Sequence, residues 1–392
     1  MDKHVILLLL VIALFFQGCK SKSEGNASTE SINIKLDLEK EMKSIHEIDL
    51  INDVEIINLD CDEVIIGEIN KVIRFGSILY LMDKFQNKSI YLFDVNGKYI
   101  SSTSNYGNGP EEYIQLTDIF IDSDDLTLNV LSRIDNKLLK YDQKGEKLLS
   151  IKKTPKSFTS MQKIPNGYVG YVSNWIQDLD EPFNVWLMDE NLEITEHYFE
   201  IDKILQNRNH ADGYVFSQYN DTCYYITPID YNIYVANNDY VGKKYLYDLS
   251  KYQITDNMKA EMLDDEKRLE LINKYVYRFY NFQETKMHLI VHFIFRGQEI
   301  VAVYNKMTKN TEVVKLNPYE GKYFIPFGKI VSFDQKTIFT TIGASNLERI
   351  WKGKDAHNNF EEKYPTQIDN LRKKIKSIRE DGNPFLVLYS IN

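Results

Sequence analysis

At 392 residues, 43% of them hydrophobic and 13% aromatic, the chain is long enough for one large domain or two. Its 57 acidic residues outnumber 47 basic ones, giving a formal charge of −10 that makes nucleic acid and anionic lipid surfaces poor partners.

The N-terminus is the first readable element. Behind Met1-Asp2-Lys3-His4, an unbroken apolar run from Val5 to Phe16 ends in Gln17-Gly18-Cys19. Crossing about 30 Å of hydrocarbon takes roughly 20 apolar residues. The run is too short for that and has the layout of a cleaved export signal, residues 1–18. Phe16-Gln17-Gly18-Cys19 resembles a lipobox, which implies that Cys19 is lipidated and becomes the first residue of the mature protein. The polar stretch to Ser31 buries nothing, so residues 19–31 read as a flexible tether to the lipid bilayer. Losing residues 1–18 removes one Asp and one Lys and leaves the charge unchanged. Surface-displayed Bacteroidetes lipoproteins tend to carry an acidic cluster just after the Cys. Only Glu24 is acidic here, so by that similarity the protein is an outer-membrane lipoprotein facing the periplasm. Cys61 and Cys223 could pair in an oxidising envelope, although cysteines so far apart are more often separate buried side chains.

From Val54 onward short β-rich runs recur with turn residues between them. An apolar strand ends in Asp or Asn, a few polar or Gly residues follow, and a second strand departs: SIYLFD at Asp94, KLLKYD at Asp142 and FNVWLMD at Asp189. Weaker copies end at Asn238 and Asn305, and the intervals are 48, 47, 49 and 67 residues. A four-stranded propeller blade repeats every 40–50 residues or so. The long interval holds DNMKAEMLDDEKRLELINKYV from Asp256, which predicts a helical insertion. A second helical insertion is predicted at about 360–379. Many runs are apolar on both faces, as strands are when neighbours pack on both sides. The last strand, FLVLYSIN, stops at Asn392 where a landmark would stand, and DVEIINLD (residues 53–60) can supply the missing outer strand. The fold predicted is therefore all-β: residues 32–392 form a six-bladed β-propeller of four-stranded antiparallel blades. N-terminal strand pairing closes the last blade, and there are two helical insertions.

Tyr80-Leu-Met-Asp83-Lys84, Phe93-Asp94-x-x-Gly97, Gly107-Asn-Gly109-Pro110-Glu-Glu112-Tyr113 and Asn383-Pro384-Phe385 are similar to the six-bladed β-propeller lipoproteins of gut Bacteroidetes, over about residues 50–392. That family is itself similar to NHL-repeat propellers and often accompanies glycan-utilisation systems. The resemblance implies a fold and no particular reaction.

The most distinctive polar segment is TSNYGNGPEEY, residues 103–113. Asn108, Glu111, Glu112 and Tyr113 are candidate ligand-binding residues at one mouth of the channel; alternatively the segment is a structural turn with Tyr113 packed between blades. His288 and His292 stand four apart in an apolar strand, about 13 Å at strand rise. One zinc ion cannot bridge them, so they read as core histidines. No nucleophile elbow, HExxH, CxxC, phosphate loop or dinucleotide fingerprint occurs, and no catalytic or metal-binding residue is assigned. Most of the 27 tyrosines read as core, while an exposed ring such as Trp175 or Trp351 could stack on a sugar. The expected function is a non-enzymatic binding or scaffold module for a glycan, a peptide or an envelope partner protein. The alternative is a hydrolase or lyase with calcium or zinc held at the channel; the binding reading needs no cofactor.

Overall fold

Successive side chains of a strand point to opposite sides of its sheet, and along residues 78–83 both sides are buried. Leu79 and Leu81 pack with Val331, Phe339 and Leu386, while Tyr80 and Met82 pack with Ile119, Leu128 and Leu139. One strand thus serves two interfaces with two different sheets. The computed structural model describes residues 31–392 except 60, 178–179, 209–213, 228, 317–327 and 348–381, and the side chain of residue 46. Within it this pattern becomes six antiparallel sheets in a ring, a six-bladed β-propeller.

Strands β1 (Ile32–Lys35), β2 (Lys43–Ser44) and β3 (Ile51–Asn58) join blades built later in the chain. Blade one comprises β4 (Lys71–Phe75), β5 (Ile78–Asp83), β6 (Ser89–Asp94) and β7 (Tyr99–Thr103). Blade two comprises β8 (Leu116–Asp122), β9 (Thr127–Ser132), β10 (Lys137–Tyr141) and β11 (Leu148–Lys153). Blade three comprises β12 (Ser160–Ile164), β13 (Gly167–Tyr171), β14 (Phe183–Asp189) and β15 (Ile194–Glu200). Blade four comprises β16 (Phe216–Tyr219), β17 (Thr222–Ile226), β18 (Asn232–Ala236) and β19 (Val241–Asp248). Blade five comprises β20 (Val276–Glu284), β21 (His288–Phe295), β22 (Gln298–Asn305) and β23 (Thr311–Lys315). Blade six holds β24 (Lys329–Phe333), β25 (Thr337–Ile342) and β26 (Phe385–Ile391), and β3 is its outer strand. The first strand of each blade lies innermost, and these six adjoin in turn around the axis. Six apolar clusters fill the six spaces between neighbouring blades.

Closure is as predicted: β3 runs antiparallel to β26, with Ile57 opposite Leu386 and Val54 opposite Tyr389. The strand also buries Ile51, Val54, Ile56 and Ile57, so it is core as well as clasp. Two further strands were not predicted. β1 adds parallel to β19 and β2 adds parallel to β23, so the N-terminal segment laces the outer edges of blades four and five before entering blade six. Among the described residues no strand adds to the outer strands of blades two and three, which are mostly exposed, and Lys152 and Lys153 on β11 guard that edge against further pairing.

The recurring landmarks are side-chain-capped turns. Asp94 Oδ1 accepts from the amides of Asn96 and Lys98 at 2.8 and 2.9 Å, Asp142 from Glu146 and Lys147, Asp189 from Asn191 and Glu193, and Asn305 from Met307 and Thr308. In blade four the capping residue is Asn237, which accepts from Asp239 and Tyr240, and not Asn238 as the sequence reading has it. Two adjacent asparagines made the sequence ambiguous, and only one can aim its carbonyl back into the turn.

The helical insertion between blades four and five contains α1 (Asp256–Lys259) and α2 (Asp265–Lys274), the latter capped by Asp264, whose side chain accepts from the amides of Glu266 and Lys267. Met262 and Leu271 pack it onto Leu205, Ile229, Ile254 and Tyr277. The second predicted insertion, Trp351 and residues 1–30, including Cys19, lie outside the described residues. Among those described, no helix is long and apolar enough to cross a membrane. Cys61 and Cys223 are both unbridged, and burial pushes both thiols above their ordinary pKa.

Candidate functional site

The two ends of the ring differ. At one, hairpins of two to six residues join first to second and third to fourth strands; we call it the turn end. At the other, the loop end, lie the connections from second to third strands and from one blade to the next, which range from the two residues between β21 and β22 to the long segment between β25 and β26. A cavity of about 520 Å³ opens there, lined by residues of all six blades, among them Glu68, Arg133, Trp175, Arg278, His292 and Lys329. A smaller one of about 310 Å³ opens at the turn end, with Arg74, Gln162, Gln218 and Asp334 in its wall.

A polar plug separates them. Lys71 Nζ lies 2.7 Å from Asp118 Oδ1 and 2.9 Å from the carbonyl oxygen of Ile119, and 4.7 Å above the ring of Tyr214. The other oxygen of Asp118 accepts from the Ser160 hydroxyl and the Met161 amide. Tyr214 donates its hydroxyl to the carbonyl of Asn70, and its amide donates to Asn281 Oδ1 at 2.8 Å. Burial and the nearby charges of Asp118 and Glu68 keep the Tyr214 phenol protonated. Tyr214 and Asn281 line both cavities, so the plug stands between them and forms the floor of the loop-end cavity, a cup.

Irregular backbone shapes the wall of this cup. β20 carries two register breaks, and Arg278 and Asn281 within them both have φ of 53°. Bulges of this kind turn side chains that a regular strand would place elsewhere; Arg278 lines the cup and Asn281 holds the plug. Beyond β13, Ser173 and Asn174 are consecutive left-handed residues with φ of 57° and 60°. The left-handed region costs L-residues about 1–2 kcal/mol each, so surrounding bonds must hold it. Asn174 and Asn184 exchange bonds: the Asn184 amide donates to Asn174 Oδ1 and the Asn174 backbone amide to Asn184 Oδ1, both at 2.7 Å. The Asn207 amide donates to the Asn174 carbonyl. This kink presents Trp175, half-buried, to the cup.

Arg133, at the end of β9, lies with its guanidinium carbon 4.8 Å from the centre of the Trp175 ring. Burial pulls its pKa below the usual value, with no carboxylate offsetting it. The neighbouring acids are engaged elsewhere: Asp118 with Lys71, Asp135 with Lys137, and Glu68 with Lys329 at 2.9 Å. His292 Nε2 lies 3.3 Å from Glu299 Oε2, an ion pair when the imidazole is protonated although out of line for a hydrogen bond. His292, helped by Lys329 and Arg278, holds the Glu299 carboxyl below the usual range against partial burial. Among the described residues Arg133 has no carboxylate partner.

Of the residues singled out from sequence, Tyr113 is fully buried, its hydroxyl donating to the carbonyl of Lys88 at 2.6 Å. Glu112 accepts from the Gly109 amide at 2.7 Å, and a Cβ at Gly107 would collide with its carboxylate. Asn108 and Glu111 are exposed. The loop stands at the loop end, but none of the four lines the cup, whose wall resumes at Gln115 and Thr117. His288 and His292 are both buried, His292 beside the cup and His288 with its Nδ1 3.2 Å from the carbonyl oxygen of Asn392. Nothing local in the sequence marks Arg133, Arg278 or Tyr214, which come together only through ring closure. Among the described residues no group of three or more His, Cys, Asp or Glu side chains gathers as metal ligands would. A wider groove of about 1120 Å³ follows the N-terminal segment past blades four and five, where Asp37 pairs with Lys40 and Glu312 with Lys43.

Fold and cup together define a closed six-bladed propeller with a polar cavity at its loop end. The chain belongs to the domain-of-unknown-function family DUF4934, whose model matches residues 29–390. It is similar in structure to a "putative exported protein" from Bacteroides fragilis, with a TM-score of 0.76 at 14% identity, over 92% of this chain and 99% of that one. A member of the DUF4221 family from Bacteroides vulgatus is also similar, with a TM-score of 0.51 at 13% identity over 88% and 97% of the two chains. At these identities the likeness shows the fold. No functionally curated protein matches the chain.

Proposed function

We propose that the protein is an exported binding module of the bacterial envelope, tethered to the outer membrane through lipidated Cys19 and facing the periplasm, that holds its partner at the loop end of the propeller. The observation carrying this reading is the cup itself: six blades contribute to one cavity floored by the Lys71–Asp118–Tyr214 plug. Strained backbone at Ser173–Asn174 shapes its wall, and such strain clusters where function requires a fixed geometry. The export signal and tether read from the sequence, and the likeness to a Bacteroides protein so described, support the location.

A photo-crosslinking residue placed at Phe85 or Ile134, at the loop end, or at Leu126 or Met307, at the turn end, tests the assignment in living cells. Adducts are expected from the first pair. Adducts confined to the second pair, or none from the first, would refute it.

A further inference from the structure

We propose that the cup receives a polypeptide segment in which one carboxylate is flanked by apolar residues, with Arg133 gripping the carboxylate. This occupant rests on the loop end being the binding end.

Arg133 is charged at every physiological pH. It is half-buried, laid against Trp175 and unmatched by any carboxylate among the described residues, although Asp118, Asp135 and Glu68 each have a lysine beside them and Glu299 feels the charges of Lys329 and Arg278. A partly desolvated cation without a counter-charge is unfavourable until an anion arrives. A guanidinium stacked on a ring keeps its N–H donors for a planar, bidentate partner, which a carboxylate supplies. The platform is built in advance, because the Asn174–Asn184 exchange fixes the kink that carries Trp175.

The rim decides what bears the carboxylate. Ile65, Phe85, Tyr106 and Ile134 are 80, 64, 50 and 63% exposed, and all four stand on loop-end connections of blades six, one and two. Of these, Ile65 and Ile134 are branched aliphatic side chains that suit the apolar side chains of a peptide and offer a pyranose ring no flat platform, while the rings of Phe85 and Tyr106 each have a lysine ammonium over one face, Lys84 at 5.4 Å and Lys88 at 3.8 Å. The ring of Trp175 is already covered on one face by Arg133. These features favour a polypeptide over an acidic polysaccharide.

The test uses the mature protein and N-acetylated, C-amidated hexapeptides carrying one Asp or Glu among Leu, Ile and Phe, each beside its Asn or Gln counterpart. Oligosaccharides with and without uronic acids form a second arm. Acidic peptides are expected to bind about tenfold or more tightly than their amide partners and to change the emission of Trp175. Arg133→Gln should abolish that preference without lowering the melting temperature, whereas Leu126→Ser at the turn end leaves it intact. Equal binding of acid and amide peptides, no binding of acidic peptides, or a preference that survives Arg133→Gln overturns the proposal. Uronate oligosaccharides binding in place of peptides, and released by Arg133→Gln, overturn the polypeptide occupant while leaving the loop end as the binding end. Failure of both arms together with no crosslink from position 85 takes down the binding reading itself.

Discussion

The turn end and the loop end of this propeller are built from the same six sheets by opposite rules. At the turn end, short hairpins capped by Asp94, Asp142, Asp189, Asn237 and Asn305 repeat with little variation. At the loop end regularity breaks down: left-handed Ser173 and Asn174, two register breaks in β20, and a helical insertion packed over blades four and five. A repeated turn serves the ring, whereas irregular backbone held by specific side-chain bonds places particular groups, here Trp175, Arg278 and Asn281.

The ring comes first, since either end exists only if it closes. Removing residues 31–61 deletes β3 and its buried Ile51, Val54, Ile56 and Ile57. Large-to-small changes at single buried sites of this kind cost about 2–5 kcal/mol, so losing the whole strand should abolish cooperative unfolding in urea. A truncated domain that melts like the intact one would show that the ring is closed some other way. Next comes the plug dividing the two ends. Asp118→Ala leaves Lys71 buried and unpaired, which typically costs about 3–5 kcal/mol, measurable as a lower urea midpoint. Smaller still is the kink. Asn174→Ala removes the amide exchange at a left-handed position and should cost about 1–3 kcal/mol and shift Trp175 emission, whereas Asp189→Ala at a turn-end hairpin costs about 1 kcal/mol and leaves Trp175 unchanged. Equal effects on Trp175 would erase the distinction between the ends.

The smallest effect is one of pH, and its sign should differ between the ends. At the loop end the Glu299 carboxyl titrates below its ordinary value, chiefly because of His292. The folded state then binds fewer protons than the unfolded chain, so its contribution is complete above the ordinary carboxylate range and is lost as pH falls through the depressed folded value. At the turn end burial raises the Asp334 carboxyl. Here the folded state binds more protons, so stability falls as pH rises from the ordinary value through the raised one. Glu299→Gln should therefore flatten the acid limb of the stability–pH curve downward, and Asp334→Asn should remove a loss above it; identical changes would contradict the contrast.

What could be read from the sequence follows the same division. Blade number, the closing strand and the helical insertion were legible because two-sided apolar strands and capped turns are local patterns repeated at a steady period. Asn237 was missed by one position because two asparagines adjoin. β1 and β2 were missed because Ile32–Lys35 and Lys43–Ser44 are too short to signal strands and pair in parallel with distant edges. The loop of residues 103–113 drew attention by its glycines, yet those glycines make room for the Glu112 carboxylate inside the loop. Arg133, Trp175, Arg278 and Tyr214 come from four blades, and no spacing along the chain encodes their meeting.

The lacing of the N-terminal segment also sets a path for mechanical load. Because β1 and β2 run parallel to β19 and β23, tension along the segment would shear each ladder as a unit instead of unzipping it bond by bond. Blades four, five and six would carry such tension in series through β1, β2 and β3. Arg133 and Trp175 belong to blades two and three, off that line, so tension on the N-terminal segment would not pass through them.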